Sequence, residues 1–200
     1  IAVLVHPVSR HDIETLRGVI SYVPVGREWD FRYEPWQSLH EVKTVKGFDG
    51  VIAHASNETL RRVLLRSRIP VVNISSWLAN VLVDDAAVGR SAARFFLDKG
   101  FRHLAYFGRQ DRYFAEARQS GFLQAAREAG VSVWEISPPE HTSPLTQKRW
   151  LLAQAKRCSK PVGMMVCNDQ SAALVVQLLV NAGRRIPEEF AILGVDNDDI

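Results

Sequence analysis

The sequence predicts an α/β protein built as two Rossmann-like lobes, each a parallel sheet covered by helices. Three observations predict it. Short β-branched runs alternate with stretches of helical period along nearly the whole chain. Several of the strand-like runs are apolar at successive residues rather than at every second one, as in VGMMVC (162–167), which marks strands covered on both faces. The runs are also too many for one sheet in a chain of 200 residues. A division near residue 98 is therefore expected, with an N-terminal lobe over 1–98 and a C-terminal lobe over 99–200.

The elements follow in order. AVLV (2–5) reads as a strand, and 11–23 as a helix with Ile13, Leu16, Ile20 and Val23 on one face. WDFRYEP is a second strand closed by Pro35, and GFDGVIAH a third. A helix over 56–67 takes Ser56 as its cap and turns Leu60, Val63 and Leu64 inward. IPVVNI is a fourth strand and VLV (81–83) a short fifth. The helix AAVGRSAARFFLDKG then ends at Gly100, the residue type favoured where the chain turns left-handed after a helix.

The pattern repeats in the second half. HLAYF (103–107) is a strand, and the helix around RQSGFLQAAREAG aligns Phe122, Ala125, Ala126 and Ala129 before Gly130. VSVWEI is a strand. A helix over 144–157 enters through Pro144, which the first turn tolerates. VGMMVC, a helix DQSAALVVQLLVNAG ending at Gly183, and the strand FAILGV complete the series.

Bulk properties exclude several classes. Hydrophobic residues make up 46% and charged residues 24%, ordinary for a globular protein. No apolar run approaches the roughly 20 residues that span a bilayer, so no membrane partner is expected. The opening IAVLVHPV lacks the basic flank and small-residue cleavage site of a signal peptide and reads as a first strand. Net charge is +3, and the 25 basic residues are scattered, without a basic run or recognition helix that would read nucleic acid. Cys158 and Cys167 are too few for a disulfide framework and suit buried free thiols in a cytoplasmic protein.

In open parallel sheets, ligands bind beyond the carboxyl ends of the strands. Strand 162–167 delivers Asn168 and Asp169 there, strand 190–195 delivers Asp196, Asn197, Asp198 and Asp199, and strand 2–5 leads to His6, Ser9 and Arg10. Both Asn168 and Asp169 can also cap the helix that follows. Asp169 is the residue expected to do so, since one cap suffices and Asn168 is then left for a ligand.

PVGMMVCNDQSAALVVQLLVNAGRRIPEEFAILGVDND (161–198) resembles the second half of LacI/GalR-type effector domains, of the periplasmic-binding-protein type I fold. There a strand ends in Asn-Asp and a later one in G-x-D-[DN]. VDDAAVGRSAARFFLDKGFRHLAYFG (83–108) is similar to that family's D-N-x-x-G stretch, with Asp85 where Asn is usual, and RQSGF (118–122) to its R-x-x-G-F. GVDND with VCND, PEEFAILG and WDFRYEPW resemble the xylose-regulator group of the AraC family, whose paired helix-turn-helix motifs lie C-terminal to the sensor. The resemblance implies that the second lobe is truncated at Ile200 and that operator DNA is bound by a region absent from this chain. It further implies a sugar effector, a pentose before a hexose, and a homodimer.

By the resemblance, Arg118, Asn168 and Asp196 contact the ligand from the second lobe, with Asp169 beside them. From the first lobe come Ser9, Arg10 and His11. His11 and Ile13 stand where the xylose regulators carry Tyr and Arg, so the sugar need not be xylose. Trp77 can stack on a sugar ring or pack at the hinge, as can Trp36, and Asp84, at the lobe crossover, can touch ligand or cap a helix. Such residues suit a sugar, because carboxylates and amides bridge neighbouring hydroxyls and arginine supplies a planar fork of donors. The expected mechanism is closure of the two lobes on the ligand.

Catalysis is not expected. No G-x-G-x-x-G, Walker A or G-x-S-x-G motif occurs, and the 6 histidines are dispersed. DNDD (196–199) lacks the glycine and distal glutamate of a calcium loop. No cofactor and no metal are expected. An exported sugar-binding protein and an α/β enzyme are the alternatives.

Overall fold

The computed structural model describes residues 1–5, 10–23, 32–33, 43–55, 58–74, 81–108, 112–138 and 143–198. They form two compact units, Ile1–Val83 and Asp84–Ile200.

The first unit runs β1 (Ala2–Leu4), α1 (Arg10–Tyr22), β2 (Arg32–Tyr33), β3 (Val51–Ala53), α2 (Glu58–Arg66) and β4 (Val71–Asn73). Its strands pair in the order β2-β1-β3-β4, all parallel, with Ala2 opposite Val51 and Val51 opposite Val71. Ala2, Leu4, Val51, Ala53, Leu60 and Leu64 form the core between sheet and α2. Ser56, the expected cap of α2, lies outside the described residues.

Two expectations fail here. The run 81–83 is not a strand. One hydrogen bond from Val81 N–H to Asn73 O (3.4 Å) ties it to the end of β4, no ladder follows, and all three side chains are exposed. On α1 the inward stripe is not Ile13, Leu16, Ile20 and Val23. Ile20 is 52% exposed and Ile13 is exposed too, while Asp12 is buried and Leu16, Val19 and Val23 are half-buried. The helix is rotated by about one residue from the expected setting, and the hydrogen bond between Asp12 and His54 (3.1 Å) holds it there.

The second unit runs α3 (Asp85–Asp98), β5 (Leu104–Phe107), α4 (Tyr113–Glu128), β6 (Val133–Ile136), α5 (Pro144–Arg157), β7 (Val162–Val166), α6 (Asp169–Asn181) and β8 (Phe190–Leu193). The strand order is β6-β5-β7-β8, again parallel throughout. β7 is buried at every residue, as its unbroken apolar run requires. Val162, Met164 and Val166 face the core shared with α5 and α6, with Leu151, Ala155, Val175 and Leu179. Met165 and Cys167 face the core shared with α3 and α4, with Phe96, Tyr106 and Phe122. Burying one such side chain stabilises by roughly 1.5–3 kcal/mol, so β7 with its neighbours anchors the unit. Cys158 and Cys167 are buried free thiols, and burial pushes the Cys158 thiol pKa up.

The boundary falls between Val83 and Asp84, not near residue 98. The reason is helix packing. α3 lies against α4 so closely that a Cβ at Gly89 would collide with the main chain of Arg118, and one at Gly121 with that of Ala86. The helix 85–98 therefore belongs to the second unit. α4 begins at Tyr113, ahead of the expected RQSGF segment, and Ala129 caps it exposed instead of joining the buried stripe. Gly100, Gly130 and Gly183 turn left-handed after α3, α4 and α6 (φ 86, 70 and 72°), as expected.

Gly121→Ala is expected to destabilise the protein by about 2–3 kcal/mol through overpacking against backbone that cannot rotate away. Urea denaturation measures it, and a loss below 1 kcal/mol would contradict the contact. Tyr106 is buried, and its hydroxyl donates to Ala115 O at 2.6 Å. Burial raises its pKa well above the ordinary 10.0. Its contribution to stability is therefore complete below the unfolded value and is lost as pH rises beyond it. Stability above about pH 10 should fall more steeply in the wild type than in Tyr106→Phe, as denaturation at a series of alkaline pH values would reveal.

Candidate functional site

The carboxyl edge of the second unit's sheet gathers the polar residues. Asn168 follows β7 in extended conformation and is the N-cap of α6, its Oδ1 accepting from Ser171 N–H at 3.0 Å. The expected division of labour is thus reversed, because Asp169 does not cap. Its own N–H donates to Val195 O (2.9 Å), and its Oδ2 accepts from Asp198 N–H (2.9 Å). Its Oδ1 occupies the space where any side chain at residue 194 would begin, so Gly194 is required there. The Asn-Asp pair after β7 starts one helix and ties down the loop after β8. Asn168 keeps its Nδ2 for other use, since no partner for it is seen among the described residues.

Arg118 lies in the second turn of α4 and is only 6% exposed. Nε donates to Asp85 Oδ1 at 2.8 Å, Nη2 to Asp196 Oδ1 at 3.2 Å, and Nη1 to the main-chain oxygen of Cys167. The ring of Phe114 lies 5.0 Å from the guanidinium carbon. A buried guanidinium demands such partners, since charge taken out of water is costly unless paired. Sequence reasoning missed Asp85 as a partner. The signal was present in the departure from Asn, which converts a neutral acceptor into a counter-ion.

Asp196 is held at φ 101° and Asn197 at 56°, a left-handed stretch that a non-glycine residue adopts at a cost of about 1–3 kcal/mol. The bond from Arg118 and the Asp169–Asp198 bond bracket this stretch and hold it in place. The edge therefore presents a carboxylate, an amide and a buried guanidinium in fixed geometry. Chemically, that is a set of acceptors and donors suited to neighbouring hydroxyl groups.

The other expected residues are not gathered with these. Ser9, Trp77 and Trp36 lie outside the described residues. Arg10 opens α1 with its Nε 3.9 Å from Glu14, and His11 is exposed, its main-chain oxygen accepting from Thr15 Oγ1 (2.8 Å). Asp84 is the exposed N-cap of α3, accepting from Ala87 N–H at 2.8 Å with Arg90 Nη2 at 3.6 Å, so it caps. In the first unit the buried polar groups at the strand ends are Asp12, bonded to His54, and Asn73, whose Oδ1 accepts from Ala55 N–H at 3.1 Å. None of the three was singled out from sequence, because a polar residue within an apolar run gives no sign of its direction. Among the described residues no group of three acidic, histidine or cysteine side chains could hold a metal, and no helix is long and apolar enough to cross a membrane.

Residues 93–200 match the model of the periplasmic binding protein-like domain. This chain belongs to that family. Relatives of the domain include the arabinose metabolism transcriptional repressor of Halalkalibacterium halodurans, 23% identical over 75% of this chain and 44% of its own length. The chain spans about half the length of the relatives it matches. The fold of a xylose-binding transcription activator covers 100% of this chain and 54% of its own, with TM-score 0.84 at 20% identity. A LacI family transcriptional regulator from Enterococcus faecium with bound ribose covers 99% and 78%, with TM-score 0.73 at 20% identity. These likenesses match the expected two-lobed, parallel-sheet architecture.

Asn168→Ala removes the α6 cap and should cost about 1 kcal/mol. Asn168→Ser or Asn168→Asp, which keep a capping oxygen, should restore most of it in thermal denaturation, and an unstabilised Asn168→Ser would argue against the cap.

Proposed function

We propose that this chain is the ligand-sensing part of a bacterial transcription regulator and that its effector is a sugar, a pentose before a hexose. One observation carries the proposal: side chains from α3, α4, the end of β7 and the loop after β8 converge through Arg118 on one strand edge, where they fix Asp196 beside the Asn168 amide. In this reading Asn168 and Asp196 bond the sugar directly, while Arg118 and Asp169 hold the loop that carries Asp196. Ser9, Arg10, His11 and Trp77 supply the contacts from the first half of the chain. Arabinose metabolism, xylose binding and bound ribose in the names of similar proteins support a pentose.

The fold likeness to a xylose-binding activator supports the finer assignment to the AraC-type xylose regulators, whereas the sequence relatives, such as the PurR repressor of Photobacterium profundum, support only the wider class. A sugar held more tightly by a closed arrangement of the two halves would shift the protein toward that state and reposition a DNA-binding region outside this chain, in a cytoplasmic homodimer. Catalysis plays no part.

Isothermal titration calorimetry of the full-length protein against D-xylose, D-ribose, L-arabinose and D-glucose tests the reading. Saturable heat with at least one pentose is expected, and Asp196→Asn should weaken that sugar by roughly tenfold to hundredfold, the worth of one charge-assisted hydrogen bond. Silence with every sugar, or undiminished affinity in the variant, would sink it.

A further inference from the structure

Arg118 is the one cation of the convergent cluster, and it is already spent. Asp85 holds Nε, Asp196 holds Nη2, and the Cys167 oxygen holds Nη1, so two carboxylates face one guanidinium and the cluster carries a net charge of about −1. The N-terminus of α6 is the other feature at this edge that attracts anions, through its unpaired N–H groups and dipole. It too is occupied, because Asn168 Oδ1 takes the Ser171 N–H and the Asp169 carboxylate sits in the first turn. The deciding residue is Asp85. Were it an amide, its oxygen could still accept from Arg118 Nε, and Arg118 with Asp196 would form a neutral pair.

We propose that Asp85 sets the charge class of the effector: by adding a second carboxylate to Arg118, it makes the second unit accept uncharged polyhydroxyl ligands and reject phosphorylated or carboxylated sugars. This rests on the sugar-sensing reading above. An anionic group about 6 Å from one net negative charge, at an effective dielectric of about 20, binds roughly hundredfold more weakly than its neutral counterpart. Asp85 acts through Arg118 and is a specificity-determining residue that need not touch the ligand.

Calorimetry of the full-length protein with D-ribose and D-xylose against D-ribose 5-phosphate and D-xylonate tests the inference, on wild type and on Asp85→Asn. Asp85→Ser is carried beside it so that the test does not depend on one variant folding. The wild type should bind the better neutral pentose at least about hundredfold more tightly than its anionic counterpart. The variants should keep the neutral sugar within a few-fold and narrow the gap at least about tenfold. Comparable binding of ribose 5-phosphate by the wild type, or an unchanged gap in the variants, overturns the role of Asp85 and leaves the sugar reading standing. If no sugar of either class binds, the sugar reading falls. Inorganic phosphate then decides the charge assignment: stabilisation of Asp85→Asn above wild type in thermal denaturation upholds it, and equal stabilisation overturns it.

Discussion

A single guanidinium organises the second unit. Arg118 reaches Asp85 at the head of α3, the main chain at the end of β7 and Asp196 in the loop after β8, segments separated by 33, 49 and 78 residues in sequence. Losing one partner of a buried charge typically costs about 3–5 kcal/mol, because the remaining charge is left without water or counter-ion. The three segments are therefore held to one arrangement by electrostatics as well as by packing. The Asp196–Asn197 backbone, unfavourable on its own, is tolerated within that arrangement.

Packing brings Arg118 to this position. Gly89 and Gly121 let α3 and α4 approach until main chain meets main chain, and the two helices share Ala92, Ala93, Phe96, Phe122 and Ala125 in one core. With larger residues at either glycine the helices would separate, and the 2.8 Å bond between Arg118 and Asp85 would lengthen with them. The stretches G-R-S-A-A and R-Q-S-G-F, which look like family motifs in the sequence, are thus packing devices that serve a charge cluster.

Much of this was legible beforehand, and the failures have physical causes. β7 announced itself because both its faces are covered, and the ends of α3, α4 and α6 because a glycine follows each. The rotation of α1 was illegible, since Asp12 is drawn inward by His54, a partner 42 residues away. So was the unit boundary, because helix 85–98 looks alike whichever lobe it packs upon. Of the site, Arg118, Asn168, Asp169 and Asp196 were found from strand ends and resemblance. Their division of labour was not, since whether Asn168 or Asp169 caps α6 depends on where residue 198 lies. His11 and Asp84 were singled out by position in the chain, yet both lie exposed, and Asp84 spends its side chain on Ala87 N–H.

Arg118 recognises Cys167 through the peptide oxygen, not the thiol. Every amino acid carries that oxygen, so substitution at 167 changes what fills the space behind the sheet without removing the acceptor. Positions 85 and 196 have no such immunity, for there the chemistry resides in the side chain. Evolutionary retuning of this pocket toward ligands of another charge would accordingly proceed through those two aspartates, while the strand terminus between them stays a fixed point of reference.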